Sequence, residues 1–489
     1  MNPPANPAPS DPSRRHWITQ VASGMGAWAL LSLLERDARA DLAAAISPGV
    51  IDNPLAPKPP HFAAKAKSVI FLMMAGGPSQ METFDPKPLL NKLAGQRMPD
   101  SFGTIPAQFT DVSKELLLAC NLEFKACGQS GIPISEAFPH LQKHADKLAV
   151  IRSCYHDAFN HSPAQYVLTT GQSRMGFPSV GAWVTYGLGS ESANLSAMVV
   201  MTEPDGQLKG GTPCWGNGFL PALYQGSPVQ ATGTPIRYVE RSQNLSEHSQ
   251  RKILDLSQWL NRRHSEQVSA ASQELDSRIA SYELAFRMQS AAPEAVDVNK
   301  ESAATRALYG LDEEVTRDFG TRCLIARRLV ERGVRFVQVV SGSGDTKDWD
   351  HHDDVYLGTL RQAKKTDQPV AALLQDLEAR GLLEQTLVVW SGEFGRTPTS
   401  QGGKGRDHNP NGYTMWMAGG GIKGGKIIGA TDDIGLRAVE DRVHIHDSHA
   451  TILSLLGLDH RRLTYLFQGR QFRLTDVHGE NDLSARLLA

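Results

Sequence analysis

Short apolar runs, each stopped by glycine or a polar turn and separated by helical stretches, restrict this chain to few folds. The first run, residues 67–74, ends at Gly76-Gly77-Pro78-Ser79. Others occupy residues 148–151, 197–201, 334–340, 386–390 and 413–417. A short apolar run without polar alternation is a strand buried on both faces, as in parallel sheets. Between these runs, residues 244–290, 312–332 and 355–381 carry apolar residues at helical spacing. The last two stretches end at Arg332-Gly333 and Arg380-Gly381, the pattern of a glycine helix stop. Alternating helices and buried strands predict an α/β fold with a mostly parallel central sheet flanked by helices. Right-handed crossovers then gather the loops after the strands at one sheet edge, where ligands bind.

The net charge of −2, with no basic stripe carrying interleaved aromatics, argues against a nucleic-acid partner. The 5 cysteines contain no C-x-x-C pair, so there is no zinc ribbon. Cys120 and Cys127 close a small loop, or all are buried free thiols; both readings stand. At the N-terminus, Ser13-Arg14-Arg15-His16-Trp17-Ile18 precedes an apolar stretch over residues 21–34 and a small-x-small site at Ala38-Arg39-Ala40. This is the layout of a twin-arginine export signal over residues 1–40, which predicts a periplasmic or secreted protein. The apolar stretch is short for a bilayer, and no other segment reaches about 18 apolar residues, so no membrane span is expected in the mature chain. Residues 41–65 read as a Pro- and Ala-rich linker. Residues 66–489 read as one domain, with a helical insertion near 244–300.

The chemistry lies in the loops after strands. Asp348-Trp349-Asp350-His351-His352 follows the fourth run, and Asp348 with His352 has the spacing to grip one divalent metal. In that reading Asp350 and His351 face away or bind separately. Glu393 stands at the end of another strand, and Arg396 can hold an oxyanion in bidentate fashion. Asp407 and His408 offer two more ligands, while Arg406 holds an anion or pairs with Asp407. After the second run, His161 beside Asn160 is a further ligand. In the first loop Ser79 is either a metal-activated nucleophile or a turn residue, and Glu82 and Asp85 are ligands or turn caps. His444-Ile445-His446-Asp447-Ser448-His449 reads as the start of an amphipathic helix capped by Asp447 or Ser448, in preference to a metal knot.

Together Gly76-Gly77-Pro78-Ser79, Thr83-Phe84-Asp85-Pro86-Lys87 and residues 392–398, 405–408, 446–453 and 473–480 resemble the domain-of-unknown-function 1501 family, from about residue 60 to the C-terminus. The resemblance implies a secreted, sulfatase-like bacterial protein of alkaline-phosphatase-like fold. It implies a two-metal site at the sheet edge; the cofactor expected of this chain is one divalent metal, or two with one weakly held, among Zn, Ca, Mg and Mn. The superfamily's Asp-x-x-x-His pair falls on Asp348 and His352, its later Asp-His pair on Glu393 and Phe394, and its last His on His408. Phe394 cannot bind a metal, so one of the two sites lacks a ligand. Gln80 and Glu82 stand where His and Asp are expected. Ser79 occupies the nucleophile region but lies outside any C/S-x-P-x-R motif, which argues against a formylglycine sulfatase. The expected activity is metal-dependent hydrolysis of phosphate or sulfate esters, on a small anionic ester or a sulfated or phosphorylated glycan. The alternative is a non-catalytic binding protein with a degenerate metal site.

Overall fold

The computed structural model describes residues 54–489 except 104–113, 205–207, 232–235, 237–244, 266–271 and 344–347. The proposed export signal and residues 41–53 of the linker lie outside the described residues. The six apolar runs become strands of one sheet, β1 (Ser68–Met74), β2 (Ala149–Tyr155), β3 (Met198–Met201), β5 (Phe336–Ser341), β6 (Thr386–Ser391) and β7 (Tyr413–Gly419), and the sheet also holds β4 (Ser227–Pro228), β8 (Lys426–Ile428) and β9 (Val443–His444), which no run marked. Their order is β8-β2-β7-β6-β1-β5-β3-β4, with β9 also paired to β2. β1 sits centrally, with Val69 level with Phe336 of β5 and Leu387 of β6. β7 runs antiparallel to β2 and β6, and the remaining pairings are parallel. Every residue of β1, β5 and β6 is buried, so both faces of the sheet centre are covered. Each large side chain there contributes roughly 1.5–3 kcal/mol of burial. That is why these strands read as continuous apolar runs.

The flanking helices include α1 (His161–Thr170), α2 (Val180–Leu188), α3 (Glu247–Ser265), α4 (Ser272–Val296), α5 (Glu314–Glu331), α6 (Val355–Ala379) and α7 (Ile445–Leu455). α5 lies against β5 and α6. Arg251 of α3 ion-pairs with Glu283 of α4, tying together the two helices of the stretch read as an insertion. Residues 54–65 lie against the domain: Lys58 N–H donates to Leu188 O at 2.9 Å and His61 N–H to Gly457 O at 2.8 Å. Among the described residues no helix is long and apolar enough to cross a membrane. All the cysteines are free and buried, so Cys120 and Cys127 are not joined.

α7 begins a turn earlier than the sequence suggests. His444 is its N-cap, and the Asp447 carboxylate accepts from His444 N–H at 2.9 Å. His446 and His449 donate through Nε2 to Gly171 O and Leu168 O, at 2.7 and 2.8 Å, and so fasten α7 to the end of α1.

β1, β2, β5 and β6 point the same way. The loops that follow them therefore meet at one edge: Gly76-Gly77, Phe159 to His161, Asp350 to His352, and Glu393 with the ribbon pairing Gly395–Arg396 to His408–Asn409.

Candidate metal centre

Two glycines let these loops close in. Gly76 (φ +118°) and Gly77 (φ +81°) hold backbone that side chains disfavour. A Cβ at Gly76 would stand 2.5 Å from Asp350 N, and one at Gly77 2.5 Å from the Phe394 ring. The space that a methyl group would take is filled by the loops that carry the site.

His161, Asp350, His352 and His408 converge there, with one ligand atom from each all within 4.8 Å of one another. Asp350 is the hub. His352 Nε2 lies 2.8 Å and His408 Nε2 3.2 Å from its Oδ1, and His161 Nε2 lies 3.1 Å from its Oδ2. The other nitrogen of each ring is held from behind. His161 Nδ1 meets Glu393 Oε1 at 2.8 Å, His408 Nδ1 meets Phe159 O at 2.8 Å, and His352 Nδ1 meets the Gln401 amide oxygen. An acceptor at Nδ1 keeps the proton there and turns a bare Nε2 inward, the usual support of a metal-binding imidazole. His352 Nε2 and His408 Nε2 stand 3.0 Å apart. Two lone pairs at that distance repel unless a proton or a cation lies between them. The donor set and its orientation fit a divalent metal.

The carboxylate behind His161 is itself fixed. Glu393 is fully buried and accepts from Gly76 N–H with both oxygens at 3.0 Å and from Gln165 Nε2 at 3.1 Å. The Phe394 ring, also buried, stacks on His408 with centroids 4.4 Å apart and tilts against His161 at 5.1 Å. It forms an apolar wall that locks two of the imidazoles. His352 is about one quarter exposed and marks the solvent side.

The electrostatics favour a cation. Burial pushes the Asp350 carboxyl up, but the polar contacts with His161, His352 and His408 and the charge of Arg396 outweigh it and hold it far below the usual carboxylate range. Burial lowers the His161 pKa, while Asp350 and Glu393 more than reverse this and raise it. Burial, helped by Arg396 and His161, drives His408 down to about 3, so it is a neutral donor at ordinary pH.

Other residues marked in the sequence lie elsewhere. Asp348 is not in the group: its carboxylate accepts from Ser343 N–H at 2.7 Å and Ser343 Oγ at 2.8 Å. Asp350, two residues on, takes the place expected of it, beyond the buried Trp349. The Asp407 carboxylate accepts from His408 N–H at 2.8 Å and shapes the ribbon from outside the group. Glu82 accepts from Ser79 Oγ and from Arg406 Nη2 at 2.7 Å, so Ser79, Glu82 and Arg406 form a buried structural cluster. Asp85 pairs with Lys87 at 3.0 Å and lies 3.6 Å from Arg152. Arg396 is fully buried, donating to Asp350 Oδ1 at 2.7 Å, Gly77 O at 2.9 Å and Arg406 O at 3.1 Å. It braces the hub and has no reach towards a substrate. Gln165 and Gln401 carried no recognisable signal in the sequence, because their partners are remote along the chain.

Beside the centre lies a cleft of about 1110 Å³ whose wall includes His156, Phe159, Asn160, Arg442, His444 and His446. It shares the segment 156–160 with the centre: His156 Nε2 meets Glu393 O, and Phe159 O holds His408.

The fold is similar to several solved structures at low identity. The lipoteichoic acid synthase LtaP from Listeria monocytogenes shares 11% identity over 89% of this chain and 81% of that one, with a TM-score of 0.37. The PsFucS1 sulfatase from Pseudoalteromonas sp. shares 13% over 80% and 68%, with a TM-score of 0.31. The phosphonate monoester hydrolase SpPMH from Silicibacter pomeroyi shares 12% over 65% and 68%, with a TM-score of 0.33. No curated protein matches the sequence. The family model described as a protein of unknown function, DUF1501, matches residues 66–483, which is most of the chain, and the chain belongs to that family.

Proposed function

We propose that this protein hydrolyses phosphate or sulfate esters at one divalent ion held by His161, Asp350, His352 and His408. The observation that carries this is the convergence of three bare Nε2 atoms on one carboxylate, each ring fixed through Nδ1. Nitrogen-rich donors suit Zn better than Mg or Ca, which prefer all-oxygen shells. Among the described residues this is the one group of its kind, which supports a one-ion centre. A bound divalent ion would polarise the ester oxygen and lower the pKa of a water molecule. The protein's own residues orient the ligands, exclude solvent with Phe394 and leave the His352 side open. The polar cleft beside Phe159 and Asn160 has room for a glycan carrying the ester. Export through the twin-arginine route is part of the same proposal and is supported by Arg14-Arg15 with the apolar stretch behind them.

A second reading has its own support. Four protein donors close a tetrahedral shell, the pattern of structural zinc, and Phe394 covers one side of it. That is the non-catalytic binding protein. Assays of zinc-loaded and chelated protein with 4-nitrophenyl phosphate and 4-nitrophenyl sulfate separate the two. Metal-dependent turnover, lost in His352→Ala, supports the hydrolase. No turnover of either ester at full metal occupancy supports the binding protein.

A further inference from the structure

The two guanidinium groups expected to hold an anion are both occupied. Arg396 and Arg406 are fully buried and bonded to backbone carbonyls and to Asp350 and Glu82. An anionic ester at the centre therefore needs a cation from another element. Among the described residues Lys209 is placed for this. Its Nζ lies 3.8 Å from Asp350 Oδ2, and its side chain is 45% exposed.

The loop that carries Lys209 is built into the support of the centre. Lys209 N–H donates to Ser343 O at 3.3 Å. The next residue, Gly210, donates through N–H to Gln165 Oε1 at 2.8 Å, and its carbonyl accepts from Tyr166 Oη at 3.0 Å. The same Gln165 amide donates to Glu393 Oε1 at 3.1 Å, so one side chain links the Lys209 loop to the carboxylate behind His161. A Cβ at Gly210 would stand 2.6 Å from Cys214 Sγ and 2.9 Å from the Tyr166 ring, so the loop is packed closely against both side chains.

Charge balance then gives the ammonium a role. Asp350 and Glu393 offset Arg396 and Lys209, so a bound divalent ion leaves a double positive charge. A phosphate monoester dianion balances this, while a sulfate monoester, with a single charge, leaves an excess. Granting the ester hydrolysis proposed above, we propose that Lys209 turns from Asp350 onto an oxygen of the substrate and selects phosphate monoesters over sulfate monoesters. A lysine suits this better than the fixed arginines, being a point charge on a flexible stem.

The test uses the full chain loaded with zinc at pH 8. Calorimetric titration with inorganic phosphate, and with methyl sulfate as the singly charged probe, is run on the wild type, Lys209→Ala and Lys209→Arg, with metal content measured for each. The expected result is tighter binding of phosphate than of methyl sulfate. Lys209→Ala should weaken phosphate by up to about fivefold and methyl sulfate less, as befits a part-exposed ion pair. Lys209→Arg should keep most of the affinity, and all three should hold the same metal. Unchanged phosphate affinity in Lys209→Ala overturns the role of Lys209 and leaves the hydrolase intact. A metal-loaded wild type that binds neither anion overturns the ester hydrolase, and the role of Lys209 with it.

Discussion

Glu393→Gln tests whether the support behind the metal ligands matters as much as the ligands. The substitution keeps size and shape in a fully buried place. The carboxylate now accepts from Gly76 N–H, His161 Nδ1 and Gln165 Nε2. A glutamine oxygen can keep its position towards His161 and Gln165, but its NH₂ then faces Gly76 N–H, donor against donor. Hydrogen bonds to a charged group contribute about 1.5–3 kcal/mol each and neutral ones about 0.5–1.5. Three weakened bonds therefore cost the fold about 3 kcal/mol. For the metal, loss of such a partner lowers affinity about 10–100-fold, or about 1.4–2.7 kcal/mol. Competition with a chelator gives the affinity, and urea unfolding of the chelated protein gives the stability. Affinity within twofold of the wild type, with the fold intact, would refute the idea that Glu393 sets the tautomer of His161.

Other substitutions probe separate parts. His352→Ala should lower metal affinity by about 100-fold or more while changing the stability of the chelated chain by less than about 1 kcal/mol, since the ring is part-exposed at a loop; stoichiometric metal in this variant would remove His352 from the centre. Burial holds His449 down to about 3, so the unfolded chain protonates first as pH falls. Its contribution is complete above about pH 6.5 and is lost progressively towards pH 3, the loss reaching about 2 kcal/mol at pH 5. His449→Gln keeps a donor for Leu168 O and does not titrate, so its melting temperature should fall less than that of the wild type between pH 7 and pH 5; parallel falls would show that His449 is not buried neutral. Replacing both Arg14 and Arg15 by Lys should leave the precursor in the cytoplasm, because the receptor reads the paired guanidinium groups. Normal export of that variant in a fractionation assay would remove the twin-arginine assignment.

The sheet was legible because burial on both faces writes itself into a strand as an apolar run, as in β1 and β6. The direction of β7 was not, since an antiparallel strand packed on both sides carries the same signature as a parallel one. In the site, the sequence marks the loops more reliably than the atoms. The stretch from Asp348 to His352 does reach the centre, but which of its two aspartates does so depends on Ser343, whose hydroxyl and N–H claim Asp348. Likewise Glu82 is drawn to Arg406, and Asp85 lies near Arg152 as well as its neighbour Lys87; the two arginines are partners that no local spacing reveals. Buried carboxylates choose the cation that the fold brings to them, and that choice is made by tertiary contacts. Phe394 is a further case. As a residue type it signals a missing ligand, whereas its ring in the structure is the wall that holds His408 and His161.

The central claim is that three imidazoles and Asp350 hold one divalent ion. Elemental analysis of protein purified without chelator, joined with X-ray absorption at the metal edge, tests it most directly. One ion per chain is expected, zinc foremost, with a shell of nitrogen and oxygen near 2.0–2.2 Å and the outer-ring scattering of imidazole. The signal should fall away in Asp350→Asn and His408→Ala. Protein that carries no metal as purified, and takes up none when zinc is offered at neutral pH, would contradict the account.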